Sequence, residues 1–198
     1  MGALQKKLKA PACKRLPQAL QHEQCVALLR AVRSPVYRGV LSVMYGSGLR
    51  IGEAVKVTVH DVDRERMVIR VVGKGNKERL APLPAPLYQD LRRMWTLHRH
   101  PQWLFANQLG SDHVHPNSVR KAFRCACLDT GIGQDVKAHS LRHSFATRLM
   151  EQGVPAETAR ILLGHDTIKT TQAYLHLTEP ARRTINETLS AFSVSLFD

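Results

Sequence analysis

Met67-Val68-Ile69-Arg70-Val71-Val72-Gly73-Lys74-Gly75-Asn76-Lys77-Glu78-Arg79-Leu80 is the stretch that decides the fold class. Its first six residues are rich in Val and Ile, a Gly-rich turn follows, and a second short run continues to Leu83, which together predict a β-hairpin between Arg66 and Leu83. On either side the apolar period is helical. Upstream, Cys25, Leu28, Leu29 and Val32 recur at helical spacing, predicting a helix of about 12 residues from Gln21. A second helix begins after Ser34-Pro35, carries Val36, Val40, Val43 and Met44, and stops at Gly46-Ser47-Gly48, where glycine tolerates the left-handed backbone that ends helices. Arg50 to Val55 reads as a short helix restarting after that turn. Downstream, helices are expected from Pro84 to His98, Pro116 to Thr130, Ala138 to Gln152, Pro155 to Leu163 and Glu179 to Phe192. The fold class is therefore mainly α (α+β): a helical domain carrying one small antiparallel β-sheet or hairpin.

Charge narrows the partner. Among 198 residues, Lys and Arg number 29 against 16 Asp and Glu, for a formal net charge of +13. Such an excess favours a polyanion, nucleic acid before an anionic membrane surface. Residues 1–15, with Lys6, Lys7, Lys9, Lys14 and Arg15 among Ala and Pro, bury no face and read as a basic arm or linker. No apolar run reaches the 18 or so residues of a membrane span, and the basic start lacks the apolar centre of a secretory signal, so a cytosolic protein is expected. Cys13, Cys25, Cys125 and Cys127 form neither a disulfide framework nor paired zinc knuckles and read as reduced thiols.

Several cations stand at turns or helix starts: Gly48-Leu49-Arg50, Gly73-Lys74-Gly75, and His139-Ser140-Leu141-Arg142, whose first and last residues share a helix face. Taken singly, each reads as a solvated side chain or a phosphate contact without chemistry. Leu162-Leu163-Gly164-His165 closes a helix and is followed by Tyr174, which alone reads as a half-buried aromatic anchor. The chain has 10 histidines, but His113 and His115 have only Asp112 close by and no acidic cluster, so no catalytic metal is expected.

In combination, Gly-Leu-Arg, Gly-Lys-Gly-x-Lys-x-Arg on a hairpin, His-x-x-Arg-His, Leu-Gly-His and a tyrosine nine residues beyond that histidine resemble the tyrosine recombinases, or phage-type integrases, especially their Xer-like branch. The likeness runs from about Leu16 to Arg183. It implies a mainly helical catalytic domain with a small sheet, in which Arg50, Lys74, His139, Arg142 and His165 surround a scissile phosphate, Tyr174 is the nucleophile and Glu53 supports the site. It implies residues 16–178 as the catalytic domain and residues 179–198 as a C-terminal helix that either exchanges between subunits or packs on its own domain. It further implies double-stranded DNA as substrate, a dimer to tetramer on DNA, no cofactor, no membrane, and a bacterial cytoplasmic, nucleoid-associated setting. Most family members precede this domain with a second helical one that grips the opposite face of DNA. Nothing before Leu16 can form it, so either the chain is a catalytic fragment or it works with a separate clamp domain or accessory protein, or alone.

Elementary chemistry fits those roles. In-line attack on a phosphodiester builds charge on the non-bridging oxygens, and preorganised cations can stabilise it without a metal. Arg50 and Arg142 offer bidentate, permanently charged forks, and His165 a further donor. A tyrosine with a pKa of about 10 needs a base, for which His139 is the candidate. Lys74, on the hairpin, is placed to protonate the departing 5′-oxygen. Further DNA contacts are expected from Lys77 and Arg79 on the hairpin and from Arg120, Lys121 and Arg124 on the helix after Pro116. The alternatives are a type IB topoisomerase, which relaxes strands without exchanging them, and an idle DNA-binding regulator of the same fold, which would be free to lose Tyr174 or an arginine.

Overall fold

Pro35 opens the helix around which the rest of the chain packs. In the computed structural model, which describes residues 19–73, 78–133, 135–164, 185, 187–191 and 194, helix α1 spans His22–Ala31 and α2 spans Pro35–Gly46. The Ser34 hydroxyl accepts from the Tyr37 N–H, and proline occupies the first turn of α2, where its missing N–H costs nothing. Every residue of α2 from Gly39 to Gly46 is buried. A helix apolar on all sides must be surrounded, and α2 is: α1, α3, α4, α5 and α6 all pack on it. The remaining helices are α3 (Ile51–Ala54), α4 (Ala85–Thr96), α5 (Pro116–Asp129), α6 (His139–Glu151) and α7 (Ala156–Leu163).

The sheet has three antiparallel strands in the order β1-β2-β3: β1 Val62–Asp63, β2 Val68–Val72 and β3 Glu78–Pro82. The expected hairpin is β2 and β3, with Ile69 opposite Ala81 and Val71 opposite Arg79. The additional strand, β1, pairs Val62 with Ile69. It follows a single 3₁₀ turn at Val59–Asp61, and Asp63 Oδ1 accepts from the N–H groups of Glu65 and Arg66 to shape the bend into β2. Between α4 and α5 the chain runs without a helix, tied back by bridges between Thr58 and Trp103 and between Ala106 and His113.

One apolar core runs from Leu20 to Leu189. It includes Ile185 and Leu189 of the C-terminal helix, 4% and 0% exposed, so the described part of that helix packs into its own chain. At the other end, Leu20 donates its N–H to Ser144 Oγ on α6, while Cys25, hydrogen-bonded to Ser144 and Tyr45, is pushed up to about 12 by burial. It is an inert thiol; Cys25, Cys125 and Cys127 are all free. The basic arm lies outside the described residues. No described helix is long and apolar enough to cross a membrane.

Candidate active site

Two left-handed glycines outline the site. Gly48, at φ +68°, turns the chain after α2 so that Leu49 enters the core and Arg50 stands at the start of α3. A side chain at position 48 would meet the Phe145 ring at 2.7 Å, so glycine is required by space as well as by backbone conformation. At the far side α7 ends on Gly164, at φ +66° and ψ +46°, a left-handed C-cap.

Arg142, on α6, joins these two turns. Its Nη1 donates to the Gly48 carbonyl and its Nη2 to the Leu163 carbonyl, both at 2.5 Å, and the residue is only 3% exposed. Two backbone acceptors from different elements thus fix the plane of the guanidinium. Burial first, then the neighbouring Arg50 and Arg79, press its pKa down, with Glu53 opposing. A guanidinium starts so high that it stays charged at neutral pH.

Glu53 holds the cations together. Its carboxylate accepts the Arg50 N–H at 2.8 Å, closing the first turn of α3 as half of a capping box, and the Arg50 Nη1 at 2.7 Å. Arg79 Nη2 donates to the same carboxylate at 2.7 Å, and Arg142 Nη1 stands 3.8 Å from it. Burial pushes the Glu53 carboxyl up, but the Arg79 guanidinium and the hydrogen bonds from Arg50 outweigh it and hold the pKa below the usual carboxylate value. Arg50 is the outward member: its side chain is 45% exposed where that of Glu53 is 8%.

His139 opens α6, three residues before Arg142, with its side chain at the surface. Burial, Arg142, Arg50 and His143, in that order, lower its pKa. At neutral pH the imidazole is uncharged and able to take a proton.

The structure therefore brings Arg50, Glu53, His139 and Arg142 to one place. Lys74, Lys77, His165 and Tyr174 lie outside the described residues. Arg120, Lys121 and Arg124 are exposed on α5, with Arg120 donating to Asn117. Arg79 departs from the expectation of a DNA contact. It is 5% exposed and spends its guanidinium on Glu53 and on the Leu162 carbonyl, 3.3 Å away. The cause is strand alternation: Arg79 lies opposite Val71, whose side chain faces the core, so both point inward. Among the described residues no group of three His, Cys, Asp or Glu side chains could hold a metal ion.

The helical domain with its short three-stranded antiparallel sheet is shared with solved recombinase structures. The crystal structure of XerA recombinase superposes with a TM-score of 0.69 at 26% identity, covering 92% of this chain and 66% of that one. XerH site-specific recombinase, bound to a palindromic difH substrate in a post-cleavage complex, superposes at 0.68 and 26% identity over 87% of this chain and 53% of that one. Tyrosine recombinase XerD of Corynebacterium glutamicum is 32% identical over 184 residues, 86% of this chain and 60% of that protein. The phage integrase family matches residues 18–180, and the chain belongs to that family. It spans between about half and two thirds of the curated relatives it matches, 53% of one and 65% of another.

Proposed function

We propose that this chain is the catalytic part of a site-specific DNA recombinase that cuts and rejoins strands through a 3′-phosphotyrosine on Tyr174. The observation that carries the reading is the pair of arginines, one buried and pinned by two backbone carbonyls and one half-exposed, next to a histidine whose pKa is lowered by burial first and by those arginines second. Fixed cations placed where charge develops need no reorganisation as the reaction proceeds. The named complex of XerH with its difH substrate supports double-stranded DNA as the partner.

In this reading the Tyr174 phenol attacks the scissile phosphorus while His139 takes the phenolic proton. Arg50 and Arg142 hold the non-bridging oxygens, joined by His165. The bond from phosphorus to the 5′-oxygen breaks, and Lys74 protonates the leaving oxygen to a 5′-hydroxyl. The phosphotyrosine conserves the diester bond, so a 5′-hydroxyl from a partner strand reverses the step and reseals the backbone, with His139 and Lys74 exchanging their proton roles. Exchange of strands calls for at least a dimer, and a tetramer for two duplexes. The work belongs at the bacterial nucleoid.

A nicked suicide duplex carrying a family core site tests this. Wild-type protein should retain DNA as a protease-sensitive adduct, and Tyr174→Phe should bind the duplex without forming it. A 5′-bridging phosphorothiolate should rescue Lys74→Ala and leave Arg50→Ala slow, because a thiolate departs without a proton. An adduct on the Tyr174→Phe protein would overturn the nucleophile, and equal rescue of both variants would overturn the acid.

A further inference from the structure

We propose that Arg79 is a positioning residue of the strand-transfer site, gripping Glu53 and the end of α7 with one guanidinium so that Arg50 and Arg142 remain available to the phosphate. The inference rests on the strand-transfer reading. It assigns Arg79 a task that a surface DNA contact could not perform.

The charges make the first half of the case. Glu53 is a buried carboxylate within reach of three arginines, at 2.7 Å from Arg79, 2.7 Å from Arg50 and 3.8 Å from Arg142. Three cations and one anion leave two positive charges over. Arg79 bonds Glu53 at 2.7 Å from within the fold, where Arg142 stands 3.8 Å away and Arg50 is 45% exposed, so Arg79 is the cation that balances Glu53. Without it the carboxylate would draw on Arg50 and Arg142 and weaken the field that the phosphate meets. A buried charge that loses its partner finds another or is neutralised.

Packing makes the second half. Arg79 Nη1 donates to the Leu162 carbonyl, one of the acceptors that the end of α7 leaves without a helical partner. A Cβ at position 164 would stand 2.5 Å from Arg79 Cδ and 2.8 Å from its Nε. Gly164 is therefore needed both for its left-handed backbone and because the Arg79 side chain lies flat against it. The next residue in the chain is His165. Arg79 thus links β3, the start of α3 and the peptide leading to His165, while the adjoining Leu163 carbonyl is already committed to Arg142.

The test compares Arg79→Met, Glu53→Gln and the double variant in single-turnover cleavage of the suicide duplex at saturating DNA, with helical signal and duplex affinity measured alongside. Arg79→Met should keep duplex affinity and slow adduct formation about 100-fold, the scale of a misplaced catalytic group. Glu53→Gln should slow the wild-type background yet speed the Arg79→Met background about tenfold, a reversal of sign that measures coupling between the two. A role in folding alone would move stability and leave the rate of the folded, saturated protein unchanged. Should Arg79→Met fail to fold, the double variant carries no stranded carboxylate and serves instead: it should cleave more slowly than Glu53→Gln alone, because α7 has lost its tie. Wild-type rates in Arg79→Met, or equal rates in the double and Glu53→Gln proteins, would overturn the proposal. A ¹³C titration of the Glu53 carboxyl gives a readout free of cleavage, and should move upward in Arg79→Met. An upward shift with no wild-type adduct would sink the strand-transfer reading and keep the arrangement; a wild-type adduct with an unmoved Glu53 would do the reverse.

Discussion

Two basic regions of this molecule use arginine in opposite ways. Around Glu53, the side chains of Arg79 and Arg142 are 6% and 3% exposed and are held by a carboxylate and backbone carbonyls. On α5, Arg120, Lys121 and Arg124 stand exposed on one turn of helix, and none takes part in an ion pair among the described residues. Removing a guanidinium from water is costly, and a fold keeps it there only with a full set of acceptors. What the buried set gains is fixed geometry. The exposed set gives up geometry and keeps adaptable, screened charge, which suits tracking a phosphate backbone.

Removing one cation of each exposure within the site should have the largest effect. Arg50→Ala and Arg142→Ala should each slow adduct formation by more than about 100-fold, since each takes a donor from developing charge. They should differ in stability. Arg142→Ala strands the Gly48 and Leu163 carbonyls in the core and should lower unfolding free energy in urea by about 1–3 kcal/mol. Arg50→Ala leaves Glu53 still paired with Arg79, and the lost half-exposed pair should cost about 1 kcal/mol or less. Equal destabilisation by the two would mean that Arg142 is not held as described.

His139 makes the rate depend on pH. Burial and the cations Arg142 and Arg50 disfavour its imidazolium, so its pKa in the free protein lies below the ordinary value of 6.5. A base must be neutral to accept a proton, so activity should be present above that lowered pKa and be lost as pH falls through it. The acid limb of kcat/KM, which reports the free protein, should therefore lie below 6.5 and disappear in His139→Gln, at a cost of about 100-fold in rate. If the limb stays in the His139→Gln protein, another group is the base.

How much of this was legible in the sequence follows from the range of each interaction. The hairpin and the helices α1 to α7 repeat a local period, and their boundaries fall within a few residues of expectation; α4, expected over 84–98, spans Ala85–Thr96. β1 is two residues long and carries no period, and the loop between α4 and α5 owes its path to a bridge from Thr58 to Trp103. At the site, Arg50, His139 and Arg142 are legible only in combination: each sits in a short motif at a turn or helix start that is weak alone, and the ordered set of motifs carries the family resemblance. The inward turn of Arg79 was within reach: it lies on the same face as Val71, and alternation along β2 sends Ile69 and Val71 to the core. The role of Glu53 as a shared partner was out of reach, because Arg79, 26 positions away, and Arg142 meet it only after β3 and α6 have packed on α3.

The smallest effect belongs to α5, and it tests whether exposed charge there is used at all. A helix whose basic face merely solvates the domain would lose nothing in DNA affinity when neutralised. If the face lies along the duplex, each phosphate contact releases counterions, and log K falls with log salt at a slope of about −0.9 per contact on B-DNA. Replacing Arg120, Lys121 and Arg124 by glutamine, singly and together, should reduce the steepness of that slope by about one per residue in contact. The loss should be similar on a core site and on random duplex, because phosphates carry no sequence. At saturating DNA the cleavage rate should stay near wild type, since these side chains make no contact with the Glu53 cluster. A uniform loss with a shallower slope assigns α5 to the backbone. A loss confined to the core site would place one of these residues against base edges instead, and Arg120, whose Nη1 is already steered by Asn117 at 2.5 Å, is the one whose fork is oriented for it.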